Sequence, residues 1–92
     1  MQAITTKFLP PTNVRGSRVK ATAQAGSVTL HWDHALNPEG NHRAAAMAFV
    51  RKFKWDGEWI GGGLHNGDMV WICNDARMSE RFTYTDLSKA AA

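Results

Sequence analysis

The chain has 92 residues, of which 43% are hydrophobic, enough for one domain with one modest core. One cysteine, Cys73, excludes an internal disulfide, and no run approaches the ~20 apolar residues that a membrane-spanning helix needs. The net charge of +3 hides an asymmetry. Residues 1–54 carry eight Lys/Arg against Asp33 and Glu39, and residues 55–92 carry three against six acids. A basic half and an acidic half suit a charged partner, although a solvated surface with scattered charge gives the same count.

Residues 3–9 alternate as a strand, with Ile4, Thr6 and Phe8 on one face. The opening stretch lacks the charged lead and long apolar run of a secretory leader. Pro10 and Pro11 end the strand because neither can donate to a ladder. The loop TNVRGS follows, flanked by Arg15 and Arg18. Residues 18–33 form a hairpin whose pairs are expected to sum to 51. Val19 then faces Trp32, Ala21 faces Leu30 and Ala23 faces Val28, with Arg18 meeting Asp33. The turn is expected around Ala25 and Gly26 with positive φ at Gly26, as a longer loop closing on Ala23 and Val28.

Residues 37–54 are the one long regular helix. Ala46, Phe49, Val50 and Phe53 recur at i, i+3, i+4 and i+7, the spacing of a buried face. Asn37 suits the N-cap and Pro38 the first helical position, while Gly40 is expected to delay the regular helix to Asn41. Arg43, Met47, Arg51 and Lys54 fall within a sector of about 80° beside the apolar face. Gly57 is the expected left-handed stop. A second hairpin follows over 58–74, with Asn66-Gly67 as a type I′ turn and pairs that sum to 133. Leu64 then faces Met69, Gly62 faces Trp71 and Ile60 faces Cys73, and the run Gly61-Gly62-Gly63 leaves room for a large neighbour. Residues 81–85, RFTYT, alternate as a short edge strand, and the last few residues are expected to fray. The expected fold class is α+β. A small antiparallel sheet of about five strands, in the order β-β-β-α-β-β, carries one helix across one face, within a single domain over 1–92.

No catalytic set emerges. His31 and His34, three apart on a strand ending in a turn, do not put both rings on one face, and no cysteine pair or HExxH accompanies them, so no metal is expected. Cys73 is expected to be buried in an apolar hairpin, and such cysteines are inert. The GGG run is no strand-to-helix phosphate loop. The reading is therefore a binding module, not an enzyme, with no cofactor. Its candidate partner-binding residues are Arg15, Arg18 and Lys20 around the first hairpin and Arg43, Arg51 and Lys54 on the helix. Clustered basic side chains can contact nucleic-acid phosphates or acidic protein surfaces, or serve only to cover the helix.

The stretches FLPPTNVRGSRVKATAQAGSVTL and LNPEGNHRAAAMAFVRKFKWDGEWIGGGLHNG resemble very short phage and prophage proteins. More narrowly, the chain is similar to the phage anti-CRISPR proteins that inhibit type I-F CRISPR–Cas. The resemblance implies a non-enzymatic inhibitor in the cytoplasm of the infected bacterial host. It would bind the subunits of the CRISPR RNA-guided surveillance complex, with guide RNA as a further contact, and block recognition of target DNA. It implies no membrane and no small-molecule substrate. The alternative is a small phage protein that binds nucleic acid directly or regulates transcription.

Overall fold

The computed structural model describes residues 2–74. Five strands and one helix follow in the expected order: β1 (Ile4–Leu9), β2 (Arg18–Ala23), β3 (Gly26–His31), α1 (Pro38–Phe53), β4 (Trp59–Gly63) and β5 (Met69–Cys73). The strands form one antiparallel sheet in the order β3-β2-β1-β5-β4, with β1 at its centre. Helix α1 lies across one face, so the fold is a small α+β sandwich. The expected strand over 81–85 and the fraying end lie outside the described residues.

The first hairpin differs from expectation by two residues. Its pairs sum to 49, with Val19 opposite Leu30, Ala21 opposite Val28 and Arg18 opposite His31. A shift of two keeps every side chain on its expected face, so the apolar pattern could not detect it. The turn decides the matter. Only Gln24 and Ala25 lie between the strands, and neither has positive φ; Gly26 does, at 148°. A Cβ on Gly26 would stand 2.9 Å from the Phe53 ring, so the tight closure lets the helix seat there. The expected Arg18–Asp33 pair does not form. The Asp33 main chain is held by Asn41 instead, and its carboxylate accepts from the Ala35 N–H at 2.9 Å.

The second hairpin slips by one residue, which does change faces. Gly67 N–H donates to the Leu64 carbonyl and Leu64 N–H to that of Asp68, so the loop holds three residues instead of two. Gly67 takes the left-handed position at φ 92°, while Asn66 keeps negative φ. Trp59 now opposes Cys73, Gly61 opposes Trp71, and Ile60 opposes Ile72. Trp71, paired with Ile4 of β1, lies on the helix side, and the slip puts Trp59 on that face in place of Ile60. Ile60 and Ile72, 48% and 43% exposed, occupy the other face.

In α1, Asn37 caps the helix by accepting from the Gly40 N–H at 2.7 Å. This bond lets the helix start at Pro38 despite Gly40, and not at Asn41. Its stop is Lys54, at φ 56°, not Gly57. The expected apolar face is the one that packs, and Ala45 joins Ala46 and Phe49 at its centre. The same face carries two polar residues that the apolar pattern passed over, Asn41 and His42.

Candidate nucleic-acid and partner interface

The interface begins with the composition of the strands. The five strands contain Lys7, Arg18, Lys20 and His31 but no Asp or Glu. Strand alternation places these four side chains on the face opposite α1, beside Thr5, Thr22 and Thr29. Lys7 and Lys20 are directly paired across β1 and β2. Like charges opposite one another on a sheet repel, and an anion laid over them relieves the repulsion. Lys7 was missed by the sequence reading because its neighbour is set by the β1–β2 register, which the intervening loop conceals.

A hollow of about 410 Å³ at the end of this face brings together Arg15, Arg18 and His31. Thr12 shapes the loop above it, its hydroxyl accepting from the Arg15 N–H at 3.1 Å. Arg18 Nε is buried there without a hydrogen-bond partner among the described residues. A guanidinium donor lacking a protein acceptor suits an anionic oxygen.

The six candidate residues divide between two sides of the molecule. Arg15, Arg18 and Lys20 belong to the open sheet face. Arg43 and Arg51 project from α1 on the other side, where both line a groove against β5 and β4. Lys54 sits at the helix end and lines neither hollow. Lys52, on the same helix, reaches the Ser27 carbonyl at 3.4 Å and covers the Phe53 ring.

Two buried polar networks support these surfaces. The Asn41 side chain accepts from the Asp33 N–H at 2.7 Å and donates to the Asp33 carbonyl at 2.9 Å. It thereby ties the loop after β3 to the first turn of α1. The Trp71 indole donates to Thr6 Oγ1 at 3.0 Å, and that hydroxyl lies 2.8 Å from His42 Nδ1. The chain closes if the Thr6 hydroxyl donates to an unprotonated Nδ1. Burial lowers the His42 pKa from 6.5, against smaller opposing effects from Thr6, Asp68 and Glu39. Burial thus favours the neutral histidine that this network needs between helix and sheet.

Among the described residues no three His, Cys, Asp or Glu side chains gather as a metal site. Cys73 is buried, opposite Trp59 and not Ile60. No helix among the described residues is long and apolar enough to cross a membrane. No protein-family model, curated protein or solved structure matches this chain.

Proposed function

We propose that this protein is a non-enzymatic phage inhibitor that docks on the type I-F CRISPR RNA-guided surveillance complex and blocks its recognition of target DNA. The resemblance carried by residues 8–30 and 36–67 motivates the reading. The observation that carries it physically is the open sheet face, where Lys7, Arg18 and Lys20 stand without an acidic residue in any of the five described strands. Such a face fits a phosphate backbone, and in an RNA-guided complex the guide and its protein channel offer one. Arg15 extends the face at its end, and Arg43, Arg51 and Lys54 offer contacts to protein subunits from the helix side. The host cytoplasm is the site of action on this reading, with no cofactor required.

The test is co-purification with an assembled type I-F surveillance complex, followed by a target-DNA binding assay. Stable association with stoichiometric loss of DNA binding is expected. Inactivation of excess complex would instead indicate an enzyme. Retention of free RNA or DNA with steep salt dependence, and no association with the complex, would favour a direct nucleic-acid binder acting through the same sheet face.

A further inference from the structure

Helix α1 packs on β1, β2 and β3, which leaves the β5–β4 half of the same sheet face uncovered by any described element. The result is a groove of about 370 Å³ along one edge of the helix. Its floor is Ile4, Trp59 and Trp71, and its wall is Ala46 and Val50. Both indole N–H groups are already used. Trp71 donates to Thr6 at 3.0 Å and Trp59 to the Trp55 carbonyl at 3.2 Å. The floor therefore presents only carbon.

Arg43 and Arg51 line the rim, both exposed and neither in an ion pair among the described residues. Eight residues apart on a helix, they stand about 12 Å apart along the axis at ~1.5 Å per residue. An extended chain covers that distance in about four residues at ~3.3 Å each. In an extended chain, residues i, i+2 and i+4 point the same way. From this spacing we propose that the groove is a docking site for an extended acidic protein segment. Two carboxylates at i and i+4 pair with Arg43 and Arg51, and an apolar side chain at i+2 enters between them.

Other ligand chemistries fit less well. A fatty acid offers one anion for two guanidiniums. A nucleobase finds no free donor on the floor. Met47, 46% exposed between the two arginines, supplies a flexible thioether that adjusts to the entering side chain. The groove opens on the helix side of the sheet, so the proposal stands or falls separately from the basic sheet face.

The experiment uses the full chain and a blocked peptide of sequence Gly-Glu-Ala-Leu-Ala-Glu-Gly, followed by NMR of the Trp59 and Trp71 indole N–H signals and the Met47 methyl. Saturable shifts of these signals are expected, with at least tenfold weaker binding to the double variant Arg43→Gln, Arg51→Gln. Both positions are exposed, and unchanged signals from the core of that variant confirm its fold. The peptide with Ser in place of Leu should also bind at least tenfold more weakly. Absence of saturable shifts at millimolar peptide overturns the proposal, as does equal binding of the Ser peptide or of the double variant. Concentration-dependent shifts of the same signals without peptide would assign the groove to a second copy of this chain and overturn it too.

Discussion

Trp71 lies flat across Gly61, and the pair shows how one missing side chain shapes a surface. A Cβ at Gly61 would run into the Trp71 ring, whereas one at Gly62 would meet nothing within 4 Å. The Trp71 ring cannot simply swing away, since its indole is held by Thr6. Gly61→Ala should therefore destabilise the fold by about 1–3 kcal/mol through overpacking. Gly62→Ala should leave stability unchanged or raise it by up to about 1 kcal/mol, because it removes freedom only from the unfolded chain. Urea denaturation of the two variants side by side checks this. His42 makes a second prediction. Its folded pKa lies below the unfolded value of 6.5, so the unfolded chain takes up the proton first as pH falls. The stability held by neutral His42 is present above pH 6.5 and is lost as pH drops through and below that value. Thermal melts between pH 7.5 and 5 should show a decline that is shallower in His42→Gln. Both effects depend on neighbours distant in the chain. Thr6 lies 36 residues from His42 and 65 from Trp71. The glycine run itself was legible as room for a large neighbour, but which glycine received Trp71 was not.

Turns, more than strands, separate the expected elements from the observed ones. The alternation of Ile4, Thr6 and Phe8, the helix face of Ala46 and Phe49, and the Asn37 cap were all readable locally, because each depends on residues within one or two turns. The hairpin registers were not. Asn-Gly favours type I′, yet a three-residue loop with only Gly67 left-handed accommodates the same dipeptide and moves the pairing by one. At the end of the helix, Lys54 adopts φ 56° three residues before the glycine expected to do so. Its N–H bonds the Val50 carbonyl, which completes the last turn. A side chain in that conformation costs about 1–2 kcal/mol relative to glycine. Lys54→Gly should accordingly raise stability by about 1 kcal/mol. The same variant reports on function, because activity unchanged by loss of this charge would remove Lys54 from the contact surface. A denaturation curve and a target-DNA binding assay on one preparation give both answers.

The molecule as a whole presents two basic surfaces, not one. Lys7, Arg18 and Lys20 face away from the helix, and Arg43 and Arg51 stand beside it. On the proposed reading, charge reversal at Lys7 and Lys20 should weaken association with the surveillance complex by at least tenfold and lessen its salt dependence, as expected for lost phosphate contacts. Reversal at Arg43 and Arg51 should leave that salt dependence nearly unchanged, because carboxylate contacts release few condensed counterions. Association measured at 50 and 200 mM salt for both double variants distinguishes the two surfaces. Equal effects of the two reversals on the salt slope would mean that one extended anion spans both sides.

By itself, the sequence determined the fold class, the element order, the helix with its cap, and the set of basic residues from which any interface must be drawn. These are local quantities, written in the period of apolar residues and in the chemistry of single turn positions. Tertiary structure alone decided which basic residues are neighbours. Lys7 met Lys20 only once β1 paired with β2, and Arg43 and Arg51 acquired an apolar floor only once β5 paired with β1, setting Trp71 beside Ile4, and a one-residue slip brought Trp59 onto the same face. The reason is physical. Alternation along a strand says which residues share a face, but a shift of two residues leaves that alternation intact, and a slip of one is set by loop geometry.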